Sequence, residues 1–233
     1  SSRKIVLEEF LEGEEASYFL IVDKNHFKFF GTAQDHKRVY ENDRGPNTGG
    51  MGAYSPAPII TNKLENKIIS KIVNPTLRAL KKKKNPYSGF LYVGLMIKDN
   101  EPFLIEYNVR MGDPECQTIL PKLETDLVEI FLSCCDKKLN KIDIKWKKKK
   151  SICVVLCSKG YPENYRKNTL IQNIDKLSLD EENLCFHAGT IKKDNKIFAN
   201  GGRVLNFVSL SDDLLKARNS IIDNIQTLKW KDG

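Results

Sequence analysis

The segment Phe103-Leu104-Ile105-Glu106-Tyr107-Asn108-Val109-Arg110-Met111-Gly112-Asp113-Pro114-Glu115 constrains this chain more than any other. Its apolar opening, Phe103 to Ile105, reads as a strand. Period-two alternation then sends Glu106, Asn108 and Arg110 to one face and Tyr107 and Val109 to the other. A carboxylate, an amide oxygen and a guanidinium on one strand face suit a hard divalent cation and phosphate oxygens. Such a cation takes oxygen ligands, and the guanidinium offsets charge on a moving phosphoryl group. The same alternation also fits the solvated face of an edge strand. A second segment, Gly45 to Pro58, tips the reading towards a site. It is rich in glycine and proline, reads as a long loop, and is too long to serve only as a connection.

Around these two segments the chain reads as two units. Lys4 to Phe10, Ser17 to Val22 and His26 to Phe30 are expected strands. Thr61 can cap a helix that turns Leu64, Ile68, Ile72 and Val73 inward, with Pro75 kinking or restarting it before Leu77 and Leu80. Tyr92 to Ile97 and Pro102 to Asn108 form a hairpin across Lys98-Asp99-Asn100-Glu101, and Thr125 to Cys135 a short helix carrying Leu127, Ile130 and Phe131 on one side. A lysine-rich span from Asp136 to Lys150 marks the boundary. Beyond it lie strands at Ile152 to Ser158, Leu184 to Ile191, Lys196 to Ala199 and Arg203 to Val208. A final helix follows Ser211, with Asp212 and Asp213 in its first turn.

The net charge of +8 invites a nucleic-acid reading. Much of it sits in Lys81 to Lys84, at the end of a helix where cations complement the dipole, and in Lys147 to Lys150. No aromatics interleave with these lysines and no nucleic-acid motif accompanies them, so they read as solvated side chains. Neither nucleic acid nor membrane is an expected partner. No apolar run approaches the roughly 20 residues that span a bilayer, and the opening residues lack the long apolar region of a signal peptide. Cys116, Cys134, Cys135, Cys153, Cys157 and Cys185 form no paired CxxC knuckles, which fits a reducing cytoplasm.

Seven runs, in order along nearly the whole chain, resemble one family. They are Gln34 to Arg38, Gly45 to Pro58, Gly89 to Met96, Glu106 to Gln117, Lys159 to Pro162, Phe186 to Thr190 and Asn200 to Val204. Together they are similar to the glycinamide ribonucleotide synthetase (phosphoribosylamine–glycine ligase) family of the ATP-grasp superfamily. The resemblance implies an α+β fold. Residues 1–136 would be the second ATP-grasp lobe, an antiparallel sheet with helices; 137–150 would be a linker and 151–233 a small β-rich C-terminal domain. It also implies that family members carry an N-terminal domain and a first grasp lobe ahead of the part matched here, and that the 233 residues alone would be inactive.

The resemblance further implies roles. Glu8 and Leu11 would sit at the adenine hinge, and Glu15 would accept the ribose hydroxyls. Glu106 and Asn108 would be ligands of Mg²⁺, or Mn²⁺, at the ATP phosphates. A further acidic ligand common in the superfamily would fall near Gly94, where no carboxylate occurs between Gly89 and Lys98. Arg110 and Lys37 would act on the phosphoryl group, with Arg38 beside them and ranked above His36. The loop residues Asn47, Thr48, Gly49, Gly50 and Met51 would turn backbone N–H groups towards the glycine carboxylate. Asp113 would hold the glycine ammonium and Arg203 the phosphate of 5-phosphoribosylamine, while His187 reads equally as a core residue. The implied reaction activates glycine as glycyl phosphate, giving glycinamide ribonucleotide, ADP and phosphate without a side-chain nucleophile. A different ATP-grasp carboxylate–amine ligase, or an inactive binding module, are the alternatives; oligomeric state is not legible.

Overall fold

The computed structural model describes residues 5–42 and 44–233; Lys4, the first residue of the expected opening strand, lies outside them. Among these residues the strands, in chain order, are β1 (Glu14–Asp23), β2 (Phe27–Asp35), β3 (Arg38–Tyr40), β4 (Arg44–Asn47), β5 (Gly52–Ser55), β6 (Ser88–Lys98), β7 (Glu101–Asn108), β8 (Lys150–Cys157), β9 (Thr169–Ile171), β10 (Asn183–His187), β11 (Thr190–Lys193), β12 (Lys196–Ala199) and β13 (Arg203–Ser211). The α-helices are α1 (Asn62–Ile68), α2 (Asn74–Lys82), α3 (Glu115–Ile119), α4 (Leu127–Cys135) and α5 (Leu214–Thr227). Eight strands form one antiparallel sheet in the order β10-β13-β8-β5-β2-β1-β6-β7. The expected α+β class is what the structure shows.

β1 is buried almost end to end because both its faces are covered. Tyr18, Leu20 and Val22 pack with Leu91, Val93, Leu95 and Ile97 of β6 against Leu64 and Ile68 of α1. Phe19 and Ile21 face the opposite way, onto Phe30, Tyr92, Ile119 and Ile130. Burying each such large apolar side chain contributes about 1.5–3 kcal/mol, so the sheet's centre is the rigid part of the molecule. The segment expected as a linker also packs down: Leu139 and Ile142 are buried in this second core, and Trp146 meets the Phe30 ring edge-on at 5.2 Å.

The local signals act as their chemistry dictates. Thr61 Oγ1 accepts from Leu64 N–H at 3.3 Å and starts α1. Pro75, lacking an N–H, falls at the start of α2, and a single wider π-helical turn, Ile69–Val73, joins the two helices. The β6–β7 hairpin turns on Asp99 and Asn100, both with positive φ (51° and 62°), the geometry that a two-residue hairpin requires. α4 begins at Leu127, two residues after the expected Thr125, and Asp126 caps it, accepting from Val128 N–H at 2.7 Å.

Four expectations need correction. Residues 5–10 form no strand: Ile5, Val6, Leu7 and Phe10 are all more than four-fifths exposed, so neither face of the run is buried and no neighbouring strand pairs with it. The span from Gly45 to Pro58 is not one loop, since β4 closes on β3 and β5 inserts into the large sheet between β2 and β8. Leu184 to Ile191 is two strands, because Ala188 and Gly189 both donate to Val204 O and turn the chain. A Cβ on Gly189 would strike the Arg203 carbonyl, so only glycine permits that turn. Val109 leaves the sheet once β7 ends at Asn108 and is 72% exposed.

Candidate functional site

A cavity of about 180 Å³ opens where three parts of the chain meet. β7 and the turn after it supply Glu106, Asn108 and Arg110; the end of β2 and the turn beyond it supply Asp35 and Lys37; the glycine-rich loop supplies Thr48 and Gly49. Gly112, Asp113 and Glu115 close one side and Tyr92 the floor. The alternation read from the sequence therefore does bring Glu106, Asn108 and Arg110 to one place. It does so despite a bulge opposite Gly94 and Leu95 that leaves Ile105 unpaired. Asn108 Nδ2 donates to Glu106 Oε1 at 2.9 Å, which keeps the two oxygen-bearing groups side by side. Gly94 pairs with Glu106, and a Cβ there would crowd the Glu106 side chain at 3.2 Å. The missing carboxylate at Gly94 thus leaves room for Glu106 itself.

The electrostatics are uneven. Lys37 Nζ binds Glu15 Oε2 at 2.6 Å. Burial works to depress the Lys37 pKa, but the Glu15 hydrogen bond and charge outweigh it and hold the ammonium above its ordinary range. Asp35 has no such support. Burial, then the charge of Glu115, raise its carboxyl to about 7, against the opposing pull of Lys37 and Arg203. Its Oδ1 is shielded from solvent and without a hydrogen-bond partner. Glu115 is buried and accepts from Ser17 Oγ at 3.0 Å. Tyr92 is pushed to about 12, by burial first and by Glu115 second.

The other expected residues divide. Glu8 is exposed and Leu11 half-buried in the irregular opening segment, and neither lines a cavity with Glu106. Glu15 lines a small neighbouring recess together with Lys37, Asp35 and Glu106. Arg38 is turned away, donating to Gly45 O at 2.8 Å to close the β3–β4 hairpin, where Asn47 is its strand partner. Met51 lies against Cys157, sulfur to sulfur at 3.8 Å. His187 is exposed and meets Thr190 Oγ1 at 2.9 Å, so it is not a core histidine.

The glycine-rich loop differs most from its sequence reading. An open anion nest needs free N–H groups, and these are spent. Thr48 N–H donates to Lys37 O at 2.8 Å, Gly49 N–H to Tyr161 Oη at 3.0 Å, Gly50 N–H to Thr48 Oγ1 at 3.0 Å and Met51 N–H to His36 O at 2.8 Å. Packed between the sheet and the residues after β8, the loop must pair its donors internally. Arg203 is likewise engaged. Nη1 donates to Gly49 O, to Gly50 O at 3.4 Å and to Asp113 O at 2.8 Å, and Nη2 to Asp113 Oδ2 at 3.1 Å. Asp113 Oδ1 accepts from Gln117 at 2.9 Å, so both Asp113 oxygens have partners.

Sequence reasoning passed over Asp35, Tyr92 and Glu115. Asp35 stood in view inside Gln34 to Arg38, and a carboxylate closing an otherwise buried strand was the signal available. Tyr92 and Glu115 carried none, because only pairing across β1 and the turn before α3 aims them at the cavity.

Among the described residues no helix is long and apolar enough to cross a membrane. Two family models match: phosphoribosylglycinamide synthetase, ATP-grasp (A) domain, over residues 1–116, and phosphoribosylglycinamide synthetase, C domain, over residues 151–233. The chain is 45% identical over 229 residues to a phosphoribosylamine–glycine ligase of Vibrio vulnificus, covering 98% of this chain and 53% of that protein. It is 43% identical over 234 residues to one from Vigna unguiculata, covering 99% of this chain and 75% of the relative. A crystal structure of phosphoribosylamine–glycine ligase from Thermotoga maritima superposes with a TM-score of 0.80 at 33% identity, covering 97% of this chain and 55% of that one. The chain thus spans about half the length of the bacterial relatives it matches.

Proposed function

The chain belongs to the phosphoribosylglycinamide synthetase family, and from that premise we propose that it is the catalytic part of an ATP-dependent ligase that joins glycine to 5-phosphoribosylamine. The products are glycinamide ribonucleotide, ADP and phosphate, in purine biosynthesis. The convergence of Glu106, Asn108, Arg110 and Lys37 on one cavity is the observation that carries this reading. We take residues 1–136 as the second ATP-grasp lobe, 137–150 as a connector and 151–233 as the C-terminal domain.

The donor set fits Mg²⁺ or Mn²⁺. Glu106 and Asn108 offer hard oxygens, and among the described residues no group of three His, Cys, Asp or Glu forms a closed protein cage. Two protein oxygens completed by phosphate oxygens and water is the arrangement that Mg²⁺ favours. When bound, the metal would neutralise charge on the nucleotide phosphates. Glu15 is taken as the acceptor of the ribose hydroxyls, with Lys37 tied to it. Arg110 and Lys37 orient the γ-phosphoryl group and offset the charge that develops on it. Glycine would occupy the cavity between Glu106 and the wall formed by Thr48 and Gly49. Its carboxylate attacks the γ-phosphorus, the bond to the β,γ-bridging oxygen breaks, and ADP leaves with that electron pair, giving glycyl phosphate. The amine of phosphoribosylamine then attacks the glycyl carbonyl carbon, phosphate leaves with the acyl C–O bond pair, and a proton is lost from nitrogen. Positioning supplies most of the rate, since no step needs a side-chain nucleophile. A cytoplasmic setting fits the six free thiols.

The test is ADP release by the intact protein with ATP, glycine and phosphoribosylamine, alongside mass detection of glycinamide ribonucleotide. Release should require both co-substrates. Turnover with another amino acid in place of glycine would move the protein to a different carboxylate–amine ligase. Glu106 and Arg110 are exposed and Asn108 half-buried, and the high effective dielectric of water at that mouth weakens charge stabilisation until substrates fill the cavity.

A further inference from the structure

Gly49 is held from both sides by residues that lie more than a hundred positions further along the chain. Its N–H donates to Tyr161 Oη at 3.0 Å and its carbonyl accepts from Arg203 Nη1. The same guanidinium reaches across the cavity rim to the Asp113 carbonyl at 2.8 Å and carboxylate at 3.1 Å. Arg203 therefore ties the glycine-rich wall to the turn that follows the Glu106 strand. Its own position is fixed by β13, which pairs with β8, the strand beside β5 at the end of that wall. Tyr161 is fixed separately: its N–H donates to Ser158 O at 3.0 Å, and its ring packs over Gly202, where a Cβ would collide with it.

We infer that Arg203 and Tyr161 are positioning residues for the amino-acid substrate, acting together as a two-sided clasp that sets Gly49 and Asp113 at the rim of the cavity. This rests on the ligase reading above and replaces the free phosphate clamp that the resemblance implied for Arg203. Three observations support it. The guanidinium's bonds go to three carbonyls and one carboxylate of the protein, a set of acceptors that holds it in the wall. The loop's own N–H groups from Thr48 to Met51 all point to protein acceptors, so its contribution is shape rather than donors. Gly49 is required for the closure as well, since a Cβ there would sit 2.8 Å from Arg203 Cζ and Nη2.

A planar fork serving acceptors on two separate segments is something a lysine cannot reproduce. The Tyr161 bond is a single neutral one and worth less. The clasp is built from one residue on β13 and one in the turn after β8, so the C-terminal part of the chain shapes a cavity whose reacting groups all come from the first 115 residues.

The experiment compares Tyr161→Phe, Gly49→Ala and Arg203→Lys in the intact protein, measuring KM for each of the three substrates, kcat, melting temperature, and the ¹H–¹⁵N resonances of Gly49 and Gly50. Expected is a rise in KM for glycine in all three variants, about three- to tenfold for Tyr161→Phe and at least about thirtyfold for Arg203→Lys. KM for ATP should stay within about twofold, because the ATP side of the site does not touch the clasp. The Tyr161→Phe/Arg203→Lys pair should cost less than the product of the two single effects, since both hold the same residue. Wild-type behaviour of Tyr161→Phe and Gly49→Ala, with Arg203→Lys raising KM for phosphoribosylamine alone, would overturn the clasp and restore a phosphate clamp. Equal losses for all substrates with a lowered melting temperature would overturn it in favour of plain destabilisation. If the wild-type protein makes no glycinamide product, the ligase reading fails. The Gly50 resonance in all three variants and the Gly49 resonance in Tyr161→Phe and Arg203→Lys then decide the clasp alone, and their staying at the wild-type positions would overturn it.

Discussion

Lys37 Nζ lies 2.6 Å from Glu15 Oε2, joining the turn after β2 to the first residues of β1. The resemblance gave these residues separate tasks, one at the phosphoryl group and one at the ribose. In the structure they are one unit: the Glu15 carboxylate holds the Lys37 ammonium above its ordinary range, and the bond between them fixes where the lysine points.

Glu15→Gln should therefore act at both places. KM for ATP should rise about five- to tenfold through the lost charge-assisted acceptor. With the Glu15 charge gone, burial of Lys37 would be opposed only by Tyr92 and Asp35, so its pKa should fall, which a ¹³C or ¹⁵N titration of the labelled lysine would read. The pair is partly exposed, so the change in stability should stay within about 1 kcal/mol. Its sign is fixed: a raised lysine pKa stabilises below the unfolded value near 10.5, and that gain is lost as pH rises through the folded value. An unaltered Lys37 titration would separate the two residues again.

Glu106→Ala should reduce Mg²⁺-dependent turnover by at least about a hundredfold and leave glycine binding little changed, since Asn108 and the loop wall remain. Initial rates across a Mg²⁺ series, with glycine affinity measured by calorimetry, are the check. Near-normal rates at low Mg²⁺ would remove Glu106 from the metal site.

Asp35→Asn should cost activity but not stability. The buried carboxylate is raised to about 7, so its cost to folding is absent near pH 4 and grows as pH climbs from the ordinary value near 3.8 through 7. The amide removes that cost, and the variant should melt higher than wild type at pH 8 and alike at pH 4. A lower melting temperature at pH 8 would show that Asp35 has a structural partner after all.

Lys122→Met should stabilise the protein at neutral pH. Lys122 is buried, its ammonium bonds only Ser55 Oγ at 3.3 Å among the described residues, and burial pushes its pKa down to about 8. Below pH 8 the folded state bears the cost of a buried charge; between about 8 and 10.5 it sheds the proton first, and wild-type stability rises. The variant should gain roughly 1–3 kcal/mol at pH 7, after the loss of Ser55's partner, with the gain shrinking across that window. Denaturant melts at pH 7 and pH 10 would show it, and no difference at pH 7 would mean that water reaches Lys122.

The sequence by itself determined the elements whose signals are local. Thr61 starts a helix because its hydroxyl reaches the N–H three residues on; Asp99-Asn100 turns a hairpin because those residues accept positive φ. Glu106, Asn108 and Arg110 share a face because alternation along a strand is geometric. The family was legible for a related reason: long motifs keep their order whatever the fold does around them. Tertiary structure decided everything that depends on a distant partner. Residues 5–10 have the composition of a strand but nothing beside them, and burial, not composition, makes a strand. Gly45 to Pro58 looked like an open loop until pairing with β2 and β8 drew part of it into the sheet. Whether the Gly49 N–H was free for a ligand depended on Tyr161, more than a hundred residues away. The resemblance implied a phosphate for Arg203; the direction of its guanidinium is set by three carbonyls and a carboxylate that only the closed sheet brings within hydrogen-bond reach. A side chain's chemistry is fixed by its type, but what it binds is fixed by which acceptors the fold leaves nearest.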